Sequence, residues 1–181
     1  REDTEVKPPV ALGKARKLIL QIAVNQYVNQ WDLWVYPGVT GDAEPEGVLI
    51  ASELNQHVLR TLREGGKVLL TLGKGRVSPG KGGEVGLGFS SIFWNTAWTR
   101  WQPPHTLGIL CDPGAPALSR FPTDFHTNWQ WWELIHGSAA MQLEALPPAL
   151  RPLVQPIDTW FENRRLGLLF EAKVGNGKLM V

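Results

Sequence analysis

The chain has 181 residues, of which 43% are hydrophobic and 19% are charged, and a formal net charge of +1. This composition predicts one globular domain, or one domain plus part of another. The balanced charge gives no electrostatic case for nucleic acid or an acidic membrane surface as a partner, and no apolar run is long enough to span a bilayer. Cys111 is the single cysteine, which excludes an intrachain disulfide and a cysteine-based metal site.

Two strands are predicted near the N-terminus. Residues 15–24 have strand character with partial alternation, and residues 31–36 form a second apolar run that ends at Pro37 and Gly38. The polar residues 25–30 between the two runs have turn chemistry, so we expect an antiparallel pair. Because a two-stranded hairpin is only marginally stable alone, we predict that the pair is the end of a β-sandwich whose other strands precede it.

The pattern changes after residues 40–47, a composition break that predicts a linker. Residues 48–51 form a short apolar strand, and a helix follows that either Ser52 or Asn55 can cap. A glycine pair stops this helix, and residues 67–72 form the next apolar strand. A strand, a helix and a strand in close succession predict a βαβ unit with parallel strands.

Residues 73–88 are rich in glycine but do not match a phosphate-binding loop. Gly82 follows Lys81 at the position where that motif requires Ser or Thr, and no helix-forming run comes next. The stretch is therefore predicted to be a mobile surface loop.

Shorter signals predict the remaining strands. Residues 106–111 and 153–157 have strand character, the latter with a proline near its end. The clearest hairpin signal lies at the C-terminus, where residues 166–174 and 178–181 flank a Gly-Asn-Gly turn. The elements after the linker together predict an α/β domain of five to seven strands.

Residues 121–135 combine more aromatic area with hydrogen-bonding groups than any other window of the chain. The later part has helical spacing and runs to a stop at Gly137. Since no single face of a helix can hold Trp129, Trp131 and Trp132, we expect at least one of them to face away from the others.

Five blocks of the sequence occur in an order that is more specific than any one of them. They are Asn29-Gln-Trp-Asp-Leu-Trp-Val-Tyr-Pro37, Leu107-Gly-Ile-Leu-Cys-Asp-Pro113, Phe121-Pro-Thr-Asp-Phe-His-Thr-Asn-Trp-Gln-Trp-Trp132, Arg151-Pro-Leu-Val-Gln-Pro-Ile-Asp158 and Leu166-Gly-Leu-Leu-Phe-Glu-Ala-Lys-Val-Gly-Asn-Gly-Lys-Leu179. Together they resemble the C-terminal region of large bacterial enzymes of glycoside hydrolase family 2, commonly named β-galactosidases or sugar-binding-domain glycosidases. The match covers nearly the whole chain after about residue 15.

The resemblance implies a fold and a domain organisation. Residues 1–38 would be a lead-in and the last strands of a β-sandwich module that follows a catalytic barrel. Residues 39–181 would be a flavodoxin-like three-layer domain with a mostly parallel sheet, similar to the class I glutamine amidotransferase fold. The absence of an initiator Met and the apolar run at the end of the sequence fit a piece of a longer polypeptide.

The resemblance also implies a function. The chain would be a non-catalytic accessory region of an enzyme that hydrolyses terminal β-galactosides or related glycosides, and that is periplasmic or extracellular. Its partners would be the upstream catalytic and sandwich domains of the same polypeptide and a carbohydrate. Nucleic acid, a membrane and a cofactor are not expected. Whether the chain forms a homo-oligomer is left open.

Two catalytic interpretations are weighed against structural ones. A retaining glycosidase needs two carboxylates about 5 Å apart, but Asp124 and Glu133 are separated by an unknown turn, and Asp124 is expected to cap the Trp helix. Cys111 follows an apolar strand as an amidotransferase nucleophile would, yet it lacks the flanking glycines of a nucleophile elbow. We therefore expect a buried, inert thiol, with a degenerate amidotransferase-like enzyme as the second alternative.

Carbohydrate binding is the first alternative. Trp faces stack on pyranose rings, while Asn, Gln, Asp and His bind hydroxyl groups. The candidate residues are Trp94, Trp98, Asp124, His126, Asn128, Trp129, Gln130 and Trp132. Large aromatic side chains more often fill cores and interfaces, so packing against another module is the main expectation. The histidines and carboxylates show no metal-ligand spacing.

Overall fold

The computed structural model describes residues 13–38, 45–89 and 105–181. The chain divides into two compact units, which are described separately. One unit comprises Arg1–Ala43 and Pro113–Thr123, and the other comprises Glu44–Asp112 and Asp124–Val181.

The first unit contains an antiparallel hairpin of strands β1 (Arg16–Val24) and β2 (Tyr27–Val35). The predicted pairing is confirmed, but the turn is shorter than expected. It consists of two residues only, and Asn25 has a φ of 52°, a left-handed conformation that asparagine tolerates and that suits a tight hairpin turn. The unit also contains a 3₁₀ helix at Pro116–Leu118.

In its described residues, the second unit contains a four-stranded sheet and three helical segments. The sheet has the order β3–β4–β10–β9, with β3 at Val48–Ala51, β4 at Lys67–Leu70, β9 at Glu171–Val174 and β10 at Gly177–Met180. The helical segments are α1 at Gln56–Arg63, a 3₁₀ helix at Trp129–Trp131 and α2 at Trp132–His136. Two further ladders are antiparallel: β5 (Gly108–Cys111) pairs with β7 (Val154–Ile157), and β6 (Met141–Gln142) pairs with β8 (Leu166–Gly167).

The predicted βαβ unit is present. Strands β3 and β4 pair in parallel, and α1 connects them. Of the two predicted caps, Asn55 is the one used, because its side-chain oxygen accepts a hydrogen bond of 3.0 Å from the backbone N–H of Val58. Val58 and Leu62 of α1 are buried against Val68 and Leu179 of the sheet, and this cluster is a hydrophobic core of the unit.

The flavodoxin-like prediction is wrong. Of the described residues, 32% are in strands and 13% in helices, and only two α-helices are formed, both short. Within the part of the chain that the structure describes, parallel pairing is limited to β3–β4 and β4–β10, while every other ladder is antiparallel. A three-layer domain needs helices on both faces of a parallel sheet, and α2, with five residues, is too short to form such a layer. The described part of the second unit is therefore a mostly β structure that contains the β3–α1–β4 unit.

The glycine-rich stretch is only partly a surface loop. Gly82, Val85 and Gly88 are buried. Thr106 fixes its end, because the Thr106 hydroxyl accepts a hydrogen bond from the Gly88 N–H and donates one to the Gly88 carbonyl oxygen. The buried part is thus held by hydrogen bonds to the residues that precede β5.

Candidate functional site

The candidate site is the Trp segment, defined here as residues 124–136. Its first part lies alongside β5 as an additional short ladder, with a bridge between Leu110 and His126. The Cys111 N–H donates to the Phe125 carbonyl oxygen at 2.9 Å, and the Ile109 N–H donates to the Thr127 hydroxyl at 2.7 Å. These bonds attach the segment to the edge of the β5–β7 ladder.

Asn128 begins the helical part of the Trp segment. Its side-chain oxygen accepts a hydrogen bond of 2.8 Å from the Trp129 N–H, and its amide nitrogen donates to Asp124 Oδ2 at 3.2 Å. The cap is therefore Asn128 rather than the predicted Asp124, which supports the cap instead. An Asx side chain at this position satisfies a backbone donor that the helix leaves free.

One of the three tryptophans, Trp131, is buried away from the other two, as predicted. Trp131 is 5% exposed and Ile135 is 2% exposed, so they form the buried side of the segment. Trp129 and Trp132 are 58% and 52% exposed, and Phe125 is 61% exposed. We call Phe125, Trp129 and Trp132 the aromatic face of the segment. A large exposed aromatic area is the property that marks a binding surface.

One ring of the aromatic face is held in a small cluster. The Trp132 ring centroid lies 4.0 Å from that of His136, one helical turn later, and 5.8 Å from that of Phe89. The His136 Nδ1 donates to the Trp132 carbonyl oxygen at 2.8 Å. This packing restricts Trp132 before any partner binds, which lowers the entropy that binding would cost.

The polar candidates of the segment have internal partners. Asn128 donates to Asp124 and accepts from the Trp129 N–H, and the His126 Nδ1 donates to the Thr127 carbonyl oxygen at 2.8 Å. Gln130 is half-buried. Trp94 and Trp98 lie outside the described residues. The structure therefore brings six of the eight candidates into one segment, but its polar groups largely serve the fold of the segment itself.

A charged network that sequence reasoning missed lies between the residues after β7 and the glycine-rich stretch. The Arg164 guanidinium donates to both oxygens of Asp158, at 2.8 Å and 3.0 Å, and the Arg164 N–H donates to Asp158 Oδ2 at 2.8 Å. Arg164 also lies 3.9 Å from a carboxylate oxygen of Glu84. The sequence signal that could have revealed this network is the adjacent pair Arg164-Arg165, which lies in a stretch predicted only to be a short polar connection.

The ionisation of the network follows from these contacts. Burial acts to raise the pKa of Asp158, but the hydrogen bonds from Arg164 outweigh it and leave the pKa below its ordinary value. The pKa of Glu84 is lowered mainly by a hydrogen bond from the Glu84 backbone N–H. Desolvation acts to raise it, but hydrogen bonds from the backbone of Gly80 and Gly82 and the charge of Arg164 lower it further. Both carboxylates are thus kept ionised, which suits a structural ion pair.

A model of a domain of unknown function, DUF8487, matches residues 49–181. The chain belongs to the DUF8487 family. The match includes the Trp segment and the Asp158–Arg164 pair, so both are features of the DUF8487 region. No curated protein matches the chain.

Cys111 of the DUF8487 region has the environment of a structural thiol. It is buried, and its sulfur donates to the Asp124 carbonyl oxygen at 3.3 Å. The amidotransferase alternative depended on a flavodoxin-like fold, which the structure contradicts. Among the described residues, no helix is long and apolar enough to cross a membrane, and His, Cys, Asp and Glu side chains form no group of three that could hold a metal ion.

Proposed function

We propose that the chain is a non-catalytic accessory region of a family 2 glycoside hydrolase, in which the aromatic face packs against another module of the same polypeptide. The ordered sequence blocks support the relationship to these enzymes. The observation that carries the proposed role is the exposure of Phe125, Trp129 and Trp132, each more than half accessible to solvent. Aromatic side chains are enriched in the cores of protein interfaces, where they contribute much of the binding energy.

The hydrogen bonds of the neighbouring groups favour a protein contact over a sugar pocket. A sugar site needs convergent polar groups with free donors and acceptors beside the stacking ring. The amide of Asn128 uses both its oxygen and its nitrogen within the segment, and Nδ1 of His126 is bonded to the next carbonyl oxygen. A partner module needs only the apolar area that the three rings offer.

The test compares the 181-residue chain with the complete polypeptide encoded by its gene. We expect the complete polypeptide to hydrolyse a chromogenic β-galactoside or related glycoside. In that protein the double change Trp129→Ala and Trp132→Ala should lower the midpoint of thermal unfolding. In the 181-residue chain the same change should lower the midpoint by less, because about half of each ring is already exposed to solvent there.

The matched control is the double change Trp129→Phe and Trp132→Phe, which keeps aromatic area and should retain most of the stability of the complete polypeptide. Hydrolysis of a glycoside or of glutamine by the 181-residue chain alone would show that the accessory role is wrong. Equal unfolding midpoints for the complete polypeptide and its alanine variant would exclude the aromatic face as the contact.

A carbohydrate-binding module is the second candidate, because Trp129 and Trp132 expose much of their ring area and an indole face can stack on a pyranose ring. Calorimetric titration of the 181-residue chain with galactosides and plant oligosaccharides separates the two proposals. Binding that is lost on changing Trp129 to Ala would favour the module, whereas the accessory role predicts no heat of binding.

A further inference from the structure

The turn of the β9–β10 hairpin contains a chemically labile pair of residues. Asn176 is followed by Gly177, and no other asparagine of the chain precedes a glycine. The backbone nitrogen of the residue after an asparagine can attack the asparagine side chain. Glycine allows this attack most readily, because it has no Cβ that blocks the approach and its backbone is the most flexible. The Asn176-Gly177 pair therefore has the chemistry for spontaneous deamidation.

The folded hairpin keeps the attacking nitrogen in place. Gly177 is buried and is paired with Val174 in the antiparallel register of β9 and β10. The next N–H, that of Lys178, donates to the Gly66 carbonyl oxygen at 3.0 Å, so the Gly177 N–H points to the opposite side, toward β9. A Cβ on Gly177 would lie 2.5 Å from the same Gly66 oxygen. The nitrogen thus has no room to move while the ladder is intact.

The side chain of Asn176 is also held. Its Nδ2 donates to the Arg63 carbonyl oxygen at 3.2 Å. Arg63 is the last residue of α1, and the last carbonyl groups of a helix have no partner within the helix. The amide group that deamidation would remove therefore satisfies the end of α1.

We propose that Asn176 is a deamidation site that reacts only when the β9–β10 hairpin opens, and that the reaction prevents the hairpin from forming again. The Gly177 nitrogen gives its proton to hydroxide and forms a bond to Cγ of Asn176. The Nδ2 group takes a proton from water and leaves as ammonia, which closes a succinimide ring. Water then adds to one of the two ring carbonyl groups, the bond from that carbon to the Gly177 nitrogen breaks, and the nitrogen regains its proton. The products are aspartate and isoaspartate.

The products do not fit the turn. Isoaspartate adds one carbon atom to the main chain, and the length of its loop sets the register of a hairpin. Both products also replace the amide donor by a carboxylate, which faces the Arg63 carbonyl oxygen as a second acceptor. Leu179 of β10 belongs to the core beneath α1, so a hairpin that cannot close leaves this core exposed.

Deamidation rates test the dependence on opening. The 181-residue chain is incubated at mildly alkaline pH in native buffer and in urea, and Asn176 is followed by peptide mapping with mass spectrometry. We expect the reaction to be about tenfold or more slower in native buffer, because the nitrogen reacts only through opening of the hairpin. Leu179→Ala, or the milder Leu179→Val if the first variant folds poorly, should accelerate the reaction in native buffer and leave the rate in urea unchanged.

The matched control is Leu134→Ala, at a half-exposed position outside the core beneath α1, which should change neither rate by much. Equal deamidation rates of the wild-type chain in native buffer and in urea would overturn the proposal.

Refolding tests the effect of the product. Chains deamidated in urea are diluted into native buffer, and hydrogen–deuterium exchange of the β10 amides is measured for each form. We expect slow exchange in chains that retain Asn176 and fast exchange in chains with isoaspartate, which enzymatic methylation identifies. Asn176→Ser keeps a donor for Arg63 without the labile amide, so this variant should regain slow exchange after the same treatment.

Slow exchange of β10 in the isoaspartate form would overturn the second half of the proposal. Both experiments use the 181-residue chain alone and do not depend on a glycosidase activity of the complete polypeptide. Their outcome is therefore separate from that of the test of the proposed function.

Discussion

Asp158 shows how one buried carboxylate can organise two distant stretches of chain. It receives three hydrogen bonds from Arg164, two from the guanidinium and one from the backbone N–H. Arg164 in turn faces Glu84 in the glycine-rich stretch, and Gln142 donates to the same carboxylate oxygen of Glu84 at 3.2 Å. The network thus connects residues that are about 75 positions apart in the chain.

Replacing Asp158 by Asn should destabilise the protein by about 2 kcal/mol. The change keeps the size of the side chain but removes the charge that Arg164 requires, and hydrogen bonds to charged groups contribute about 1.5–3 kcal/mol each. Urea denaturation at neutral pH measures the loss. The control is Glu162→Gln, at an exposed position of the same connection, which should change the free energy of unfolding by less than about 0.5 kcal/mol.

The contribution of Asp158 should disappear in acid. Its pKa in the folded protein lies below the ordinary value, which is about 3.9 for an unfolded chain. Its stabilisation is therefore fully present above that value and is lost as the pH falls through the lower folded pKa. Denaturation curves from pH 7 to pH 3 should show a constant gap between wild type and Asp158→Asn above about pH 5. The gap should narrow below about pH 4, and a gap that widens in acid would contradict this assignment.

Helix α2 depends on its buried side, because five residues are too few for a helix to be stable alone. Ile135 is buried, whereas the adjacent Leu134 is about half exposed. We expect Ile135→Ala to cost about 2–4 kcal/mol, since it deletes buried methyl groups and leaves a cavity. Leu134→Ala removes a similar volume from the surface and should cost less than about 1 kcal/mol. Equal losses in chemical denaturation would mean that α2 is not oriented as described.

The contact between β5 and the Trp segment depends on a glycine. Gly108 has a φ of +140°, and a Cβ at this position would lie 2.3 Å from the Thr127 hydroxyl oxygen. That hydroxyl accepts the hydrogen bond from the Ile109 N–H. Gly108→Ala should therefore strain the backbone and displace Thr127, at a cost of about 1–3 kcal/mol.

The control for this substitution is Gly73→Ala, because a Cβ at Gly73 would meet no atom within 4 Å and the backbone there does not have a positive φ. Thermal denaturation should show little change for Gly73→Ala and a clear loss for Gly108→Ala. A Gly108→Ala variant as stable as wild type would show that the segment can attach to β5 without this close approach.

The two compact units differ in how much of their backbone is protected by a core. Most residues of β1 and β2 are exposed, whereas β4 and β10 carry buried residues beneath α1. Hydrogen–deuterium exchange of the 181-residue chain should therefore be faster at the amides of β1 and β2 than at those of β4 and β10, because local opening costs less where few apolar contacts are broken. Slower exchange in the hairpin would contradict this ranking.

Local sequence signals located most of the described strands and helices correctly, but they did not predict how these elements are arranged in the fold. The β3–α1–β4 unit and the β9–β10 hairpin depend on residues within about 30 positions, where periodicity, caps and turn glycines act directly. The resemblance implied a flavodoxin-like domain with a mostly parallel sheet, whereas the described residues form only two parallel ladders, β3–β4 and β4–β10. The ladder of β5 with β7 joins strands more than 40 positions apart, and nothing local specifies that they run antiparallel.

The candidate site, too, could be predicted from the sequence only in part. Sequence placed Trp129, Trp131 and Trp132 in one segment and excluded a common face for them, because helical geometry alone forbids it. Which ring is buried depends on packing between distant parts of the chain. The Asn128 cap and the pairing of Arg164 with Asp158 are contacts within six positions, and sequence patterns did not predict them either. The amino-acid sequence alone thus determined which stretches of the chain form strands and helices and which stretch carries the aromatic residues, because these depend on residues close together in the chain. Long-range pairing, which balances burial and hydrogen bonding over the whole chain, decided the sheet order and which aromatic rings are exposed.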